Sequence, residues 1–330
     1  MKRAFHVGLV AVVAAGTLAL AQGSEVARVL GAARDALGGD AALSAVRTLA
    51  FEGTRTRSTG EGASRASEFE MAFALPDRFV RKDVMANING MQIMRSSGFN
   101  GAEPIEKVDT PPQMGGHMVF RSAGGASSGG SELTPEERET ARANALRASR
   151  HDFARLTLGM FAASLPAFPV EFTYVGVAES PDGLAEVLDV AGADGFTVRL
   201  FVDQKTHLPL MLSWMDKEPL TMVAGAGPGV VTMERGGPGG VPMGRAGSPE
   251  ELEKMQAEMT RRLEEAEAKR RVVEYRMFYG GYKAFDDVKL PTRIQWMVDG
   301  QPTEELELER VRVNVNIDPK AFEISRHDER

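Results

Sequence analysis

The sequence predicts an α+β fold in which an open, curved antiparallel sheet is covered on its concave face by helices. Three observations predict it: short segments of alternating apolar and polar residues recur, turns rich in Gly, Pro, Ser and Asp separate them, and few segments have helical spacing. Strands this close together favour an antiparallel meander over βαβ units. Because the same strand pattern stands on both sides of two insertions, at about 111–160 and 216–272, we expect one domain over 22–330.

The first 21 residues have the organisation of a secretory signal peptide. Lys2 and Arg3 form a positive region, Val7 to Leu20 an uncharged and mostly apolar stretch, and Ala19-Leu20-Ala21 an A-x-A cleavage site. The alternative is an uncleaved membrane anchor. No second apolar run approaches the length of a membrane span, so we expect an exported protein with at most transient membrane contact.

A helix and a run of strands follow the predicted signal peptide. Apolar residues at 26, 29, 30, 33 and 37 have helical spacing, and Gly38-Gly39 ends that helix. A short helical turn follows to Val46, and the period then changes to two. The predicted strands of this part are 48–57, 68–73, 78–85 and 91–94, with turns at 58–64, 75–77 and 98–101.

Each insertion is a low-complexity loop followed by a helix. Residues 111–133 and 224–247 are rich in small residues and proline. Thr134-Pro135-Glu136-Glu137 and Ser248-Pro249-Glu250-Glu251 then form capping boxes. They predict a helix from 135 to about 146 that restarts towards 161, and a second helix over 249–271. Strands return at 170, 198–202, 210–214, 275–279, 288–290, 294–298 and 306–313.

The composition excludes several kinds of site. The chain has 330 residues, 43% hydrophobic and 26% charged, which is typical of a soluble globular protein. A net charge of −7 argues against a general nucleic-acid binder, because neutralising phosphates needs a basic surface. The absence of cysteine excludes disulfides, thiolate nucleophiles and cysteine–metal sites. We therefore expect neither a cofactor nor a metal.

The motifs that could support catalysis are isolated. Gly125-Ala126-Ser127-Ser128-Gly129 matches the G-x-S-x-G string of serine hydrolases but has no apolar strand before it. The glycine-rich stretches 225–229 and 236–240 lack the Lys-Ser/Thr of a phosphate-binding loop. His151-Asp152 has no second histidine at ligand spacing. Nothing assembles a nucleophile, a base and an orienting group, so the sequence predicts no enzyme.

Glutamates cluster near the C-terminus, at 304–309. Glu305, Glu307 and Glu309 alternate with Leu306 and Leu308, which predicts the polar face of a strand and not a carboxylate site.

Large apolar side chains recur along one face of the predicted sheet. We predict that they line an apolar cavity, because a curved sheet covered only in part by helices leaves a concave site of the kind that binds lipids. The alternative for each residue is a place in the core against the helices. The predicted ligand-binding residues are Phe51, Phe69, Met71, Phe73, Leu212, Trp214, Tyr275, Met277, Ile294 and Trp296.

The order of several short segments gives a resemblance to a known family. The segments are 37–40, 46–53, 75–79, 99–101, 201–210, 288–292 and 314–322. In this order the chain resembles the LolA-like outer-membrane lipoprotein-sorting proteins and their periplasmic relatives. The resemblance implies a periplasmic, open half β-barrel with helices plugging its mouth and acyl chains held inside. The two insertions depart from the dedicated carrier, and its lid-controlling arginine has only Arg55 and Arg57 as candidates.

We therefore expect a non-enzymatic carrier that holds an acyl chain, a lipoprotein or another hydrophobic ligand in a half-barrel cavity, with an envelope protein as a further partner. The alternative is a scaffold protein in which helix 249–271 presents Leu252, Met255, Met259 and Leu263 to another protein. A third hypothesis is a serine hydrolase that uses Ser127.

Overall fold

The computed structural model describes residues 11–60, 63–88, 91–109, 134–181, 183–219, 261 and 265–323. The chain forms two compact units, Met1–Trp214 with Arg276–Arg330, and Met215–Tyr275. The single domain expected over 22–330 stays a prediction.

The helices whose bounds the structure describes are α1 (Ala11–Leu37), α2 (Asp40–Ala45) and α3 (Pro135–Phe161), and residues 265–268 are also helical. The strands before α3 are β1 (Thr48–Gly60), β2 (Ala63–Ala74), β3 (Arg78–Ile88), β4 (Met91–Asn100) and β5 (Glu103–Asp109). Those after α3 are β6 (Val170–Ser180), β7 (Gly183–Gly192), β8 (Thr197–Asp203), β9 (Pro209–Lys217), β10 (Val272–Gly280), β11 (Lys283–Phe285), β12 (Val288–Leu290), β13 (Arg293–Val298) and β14 (Gln301–Val313). Single turns of 3-10 helix lie at Ala193–Gly195 and Pro319–Phe322.

Twelve of the strands form one sheet in the order β5-β4-β3-β2-β1-β14-β13-β10-β9-β8-β7-β6. Strands β5 and β6 are its two edges, so the sheet is not closed. The first strand pairs with the last, antiparallel, from Leu49 opposite Val313 to Arg57 opposite Glu304. This pairing joins the strands on both sides of the insertions into one sheet, and the architecture confirms the predicted fold class of an open antiparallel α+β half-barrel.

The register defines which side chains share a face. Phe51 lies opposite Met71 and Leu49 opposite Phe73, so these four side chains point to the same side of β1 and β2. We call this side the inner face, because α3 packs on it. The Phe153 ring of α3 lies with its centroid 6.0 Å from that of Phe73.

Helix α3 begins as predicted and continues further. Thr134 accepts a hydrogen bond from the backbone of Glu137, whose side chain accepts one from the Thr134 backbone, which confirms the predicted capping box. The predicted interruption near residue 146 is wrong, since α3 runs unbroken to Phe161. The only proline of the helix is Pro135 at its first position, so every later residue can donate to the hydrogen-bond ladder. What changes near Ala145 is burial: the N-terminal half is mostly exposed.

Helix α1 buries one stripe of small and aliphatic side chains. Val29, Ala33 and Leu37 follow one another at four-residue spacing and are 2%, 0% and 0% exposed. Arg28, beside this stripe, reaches the carboxylate of Glu186 on β7 at 2.9 Å. Among the helices of the described part, none is both long and apolar enough to cross a membrane.

The C-terminal segment covers part of the opposite, outer face. Phe322 is buried against Ala74, Val80 and Ile105 of strands β2, β3 and β5. Its 3-10 turn starts at Asp318, whose side chain accepts a hydrogen bond from the Lys320 backbone. The outer face of this edge of the sheet is therefore closed by the chain itself.

The second unit has its own polar contacts. Lys217 pairs with Glu267 at 2.8 Å, and the hydroxyl of Tyr275 donates to the carbonyl of Lys217 at 2.8 Å. The predicted helix 249–271 lies for the most part outside the described residues, so the scaffold hypothesis stays a prediction.

Candidate ligand-binding site

The structure buries most of the ten predicted ligand-binding residues. Tyr275 and Trp296 are partly exposed, whereas the other eight are buried. Their proposed part in ligand binding stays a prediction, since burial is also what the core alternative requires. The exposed fraction of the eight buried residues is 0% for Phe73, Leu212 and Ile294, 1% for Phe51, Phe69 and Met277, 2% for Met71, and 8% for Trp214.

Aromatic rings fill the inner face where α3 covers β1 to β4. Phe73 lies between Phe51 and Phe79, with ring centroids 5.8 Å and 4.8 Å away. Phe153 of α3 lies on the same group, 5.3 Å from Phe99 in an edge-to-face arrangement. We call these five residues the aromatic region. It is closed by its own side chains.

The C-terminal half of α3 also fits tightly against β9 and β10. The guanidinium of Arg155 lies 4.3 Å from the centroid of the Trp214 ring. The backbone carbonyl of Arg155 accepts a hydrogen bond from the Tyr279 hydroxyl at 2.5 Å. Burial raises the pKa of Tyr279. A side chain at Gly159 would overlap the Tyr279 ring, which explains a glycine inside this helix.

Further along the same strands, the inner face becomes charged. Arg55 lies opposite Ser67, and Arg57 lies opposite Arg65 on β2 and Glu304 on β14. On β3, the inner face continues with Arg81 opposite Met71 and Asp83 opposite Phe69. We call the six charged residues the arginine end. They are Arg55, Arg57, Arg65, Arg81, Asp83 and Glu304.

A chain of ion pairs connects the arginine end. Arg55 contacts Asp83 at 3.0 Å, and Arg81 contacts both Asp83 at 3.0 Å and Glu304 at 2.6 Å. Arg57 contacts Glu304 at 3.3 Å. The side chains of Arg55, Arg81, Asp83 and Glu304 are at most 16% exposed, whereas that of Arg57 is 58% exposed. Each carboxylate is therefore shared by two guanidiniums.

Burial and pairing act in opposite directions on these groups. Burial by itself raises the pKa of Glu304, because it disfavours the charged carboxylate. The nearby guanidinium of Arg81 lowers that pKa, and the net shift is downward. The pKa of Arg81 is raised, because Glu304 and Asp83 outweigh its burial. For Arg55 the balance is reversed: burial is the largest effect and lowers its pKa despite Asp83.

A pocket of about 180 Å³ opens at the arginine end. Its walls are Arg55, Arg57, Arg65, Ser67, Val84 and Met85. Arg55 donates to the carbonyl of Val84 at 3.4 Å, while its buried Nε has no hydrogen-bond acceptor among the described residues. Arg65 is exposed and forms no ion pair within the part of the chain that the structure describes.

Sequence reasoning named Arg55 and Arg57 only as candidates for one arginine and did not find this cluster. A signal was present. Arg55 and Arg57 are in phase with Leu49 and Phe51, so alternation places them on the apolar face. Glu304 is likewise in phase with Leu306 and Leu308, which are buried, whereas Glu305, Glu307 and Glu309 point to the other face. The predicted polar face of Glu305, Glu307 and Glu309 is therefore correct, whereas Glu304 lies on the opposite, inner face.

Of the candidate serine nucleophile and the candidate histidine, the structure describes only the histidine, His151. His151 lies between the rings of Phe168 and Phe196, at 5.6 Å and 5.2 Å, and burial lowers its pKa. No group of three or more metal-ligating side chains occurs among the described residues. Ser127 and the glycine-rich stretches 225–229 and 236–240 lie outside them.

Neither a family model nor a curated protein matches the sequence. Solved structures similar to the chain include a DUF1329 family protein from Desulfovibrio piger, at 12% identity and a TM-score of 0.45. They also include a LolA superfamily protein from Nitrosomonas europaea, at 11% identity and a TM-score of 0.42. A further one is a putative outer membrane lipoprotein-sorting protein domain from Vibrio parahaemolyticus, at 10% identity and a TM-score of 0.41. Each comparison covers 90% of this chain and 97% of the other. At these identities the likeness says nothing of ligand or activity.

Proposed function

We propose that this chain is an exported, non-enzymatic binding protein that holds an acyl chain or a similar apolar group on the inner face of its open sheet. Carriage of a lipoprotein is one use of such a site. The observation that carries the proposal is the pocket beside the aromatic region, whose lining contains no residue of α3.

The inner face of β2 leads from the buried core to this pocket. Phe73, Met71 and Phe69 are buried in succession, and Ser67, next on the same face, lines the pocket. Val84 and Met85 add apolar surface from β3, and the aliphatic stems of the arginines add more. Methionine suits such a wall, because its flexible thioether adapts to chains of different shape. An acyl chain could therefore lie along a surface that continues the core.

Trp296 extends the same surface towards β13. Glu304 lies opposite both Trp296 and Arg57, so all three side chains share the inner face. Trp296 is partly exposed although it is large and mostly apolar. Covering such a side chain with an aliphatic ligand contributes about 25 cal/mol for each Å² of apolar surface buried. Among the predicted ligand-binding residues, Trp296 is the one whose exposed surface a ligand could cover in this part of the sheet.

The lining also favours binding over hydrolysis. Ser67 is the one hydroxyl among the lining side chains, and neither histidine nor carboxylate stands beside it in that lining. A serine nucleophile needs an adjacent base and a group that orients the base. The described side chains of the pocket thus supply contacts to a ligand and no nucleophile–base pair.

The test measures binding of the fluorescent apolar probe N-phenyl-1-naphthylamine to delipidated protein, together with native mass spectrometry of protein purified without detergent. We expect saturable probe binding, a copurifying aliphatic ligand, and about tenfold weaker probe binding in Trp296→Gln, since an aromatic contact is lost. The matched control is Gln295→Ser, one residue away on the outer face, which should bind like the wild type. Probe binding that is absent from the wild type, with no copurifying ligand, would contradict the proposal.

A further inference from the structure

We propose that the arginine end is an anion subsite, which takes the carboxylate or phosphate group of an amphipathic ligand. This inference rests on the proposed function for the ligand's apolar part, which would lie on the adjoining inner face. The subsite itself consists of Arg55, Arg57 and Arg65 around the pocket.

The charges of the cluster do not balance. The cluster contains four arginines and two carboxylates. Asp83 forms ion pairs with Arg55 and Arg81, and Glu304 forms ion pairs with Arg57 and Arg81. Arg65 has no ion pair among the described residues. The cluster therefore has a local excess of positive charge, in a chain whose net charge is −7. A local excess of this kind attracts anions.

The geometry concentrates this excess at the pocket. Arg57 and Arg65 lie directly opposite each other on β1 and β2. Like charges in directly opposed positions of an antiparallel pair destabilise the sheet. A bound anion between the two guanidiniums turns this repulsion into two attractions, and guanidiniums are suited to carboxylates and phosphates because of their planar set of donors.

Arg55 provides a second, independent observation. Its side chain is 8% exposed, and two of its nitrogen atoms are engaged by Asp83 and the Val84 carbonyl. Its Nε is buried without an acceptor in the described part of the chain. Buried donors are nearly always paired, and an unpaired one indicates a missing partner. An anion in the pocket would offset the charge of this buried guanidinium, whose one carboxylate partner, Asp83, is shared with Arg81.

The remaining lining indicates an amphiphile. Val84 and Met85 share the pocket with the three arginines, and Ser67 leads to the buried Phe69. An inorganic ion makes no use of apolar walls, whereas a fatty acid or a lipid phosphate places its chain against them. Free phosphate and a lipid headgroup share the same chemistry, so the experiment separates these two sources.

The experiment compares oleate, oleyl alcohol and inorganic phosphate as probes of the whole protein by calorimetry at pH 8. Oleate and oleyl alcohol have the same chain and differ in charge. We expect the wild type to bind oleate at least about tenfold more tightly than oleyl alcohol, since hydrogen bonds to charged groups are the stronger kind. The variant Arg57→Gln/Arg65→Gln, with both substitutions at exposed positions, should lose this preference. The control Arg199→Gln, at an exposed arginine paired with Asp189, should keep it.

The possible outcomes distinguish failure of the anion subsite from failure of the proposed function. Equal affinity of the wild type for oleate and oleyl alcohol overturns the anion subsite and leaves the apolar site standing. Binding of phosphate, without either oleyl ligand, supports the anion subsite for a free ion and overturns the proposed function. Binding of none of the three probes overturns both. A preference for oleate that survives in the double variant assigns the anion to another place and also overturns the subsite.

Discussion

The aromatic region and the arginine end lie on the same face of the same strands, yet they are stabilised by different physical means. On β1, Leu49 and Phe51 belong to the first and Arg55 and Arg57 to the second, with no change of phase between them. Over the aromatic region, α3 supplies Phe153 as a lid. At the arginine end a pocket opens instead. The comparison teaches that alternation assigns a face, whereas the covering element decides what that face does.

The two regions differ in how they respond to change. Burial of the rings depends on apolar area and volume and involves no titratable group, so its contribution to stability is nearly independent of pH. Ion pairs depend on charge, and a buried pair that loses one partner leaves the other uncompensated. Three substitutions test this difference, from the largest expected effect on stability to the smallest.

Phe153→Ala should cause the largest loss, because it removes the ring that contacts Phe73, Phe79 and Phe99 and leaves a cavity. We expect the free energy of unfolding to fall by about 3–5 kcal/mol, measured by chemical denaturation. Arg147→Ala, at an exposed position of the same helix, is the control and should change it by no more than about 0.5 kcal/mol. A loss below about 1 kcal/mol for Phe153→Ala would show that the aromatic region is not packed as described.

Glu304→Gln should cost less, about 1.5–3 kcal/mol at pH 7, since it weakens the charged hydrogen bond to Arg81. The pKa of Glu304 in the folded protein is lowered from 4.5, so its stabilising contribution is complete above pH 4.5. That contribution is lost as the pH falls through the lowered value. The difference in unfolding free energy between wild type and variant should therefore be largest at neutral pH and shrink on acidification.

The control for this pH dependence is Glu307→Gln, an exposed glutamate on the outer face of the same strand. Its unfolding free energy should follow that of the wild type from neutral pH to below pH 4. A difference between wild type and Glu304→Gln that grows on acidification would contradict the direction of the pKa shift.

Arg57→Gln should have the smallest effect on stability, at most about 1 kcal/mol, because an ion pair with a side chain 58% exposed is screened by water. Thermal unfolding at low and high salt checks this. A loss above about 2 kcal/mol would mean that Arg57 holds the arginine end together and does not merely border the pocket.

Local signals predicted much of the fold. Thr134 and Glu137 predicted the start of α3, because a capping box satisfies backbone donors within four residues of chain. Asp299 and Gly300 form the turn before β14 with positive φ values of 50° and 75°, the backbone conformation that Asp-Gly pairs favour. The uninterrupted length of α3 escaped prediction, because its apolar residues are concentrated in the C-terminal half and give that half the pattern of a separate helix.

The candidate site was predictable only in part. Phe51 and Phe73 were assigned to one apolar face from their alternation, and the register confirms that face. Whether a ligand or the protein itself covers them depends on α3, which is more than sixty residues distant in sequence. Arg81 and Glu304 form their ion pair across 223 residues of chain. No spacing rule connects residues so far apart.

By itself the sequence determined the period of each element, the capping of α3 and the faces of the strands, because these depend on neighbours a few residues away. The tertiary structure alone decided that β1 pairs with β14, that Phe153 closes the aromatic region, and that three arginines surround one pocket. The physical reason is distance along the chain. Burial and ion pairing depend on which remote segments pack together, whereas alternation specifies only the face of the strand on which a side chain lies.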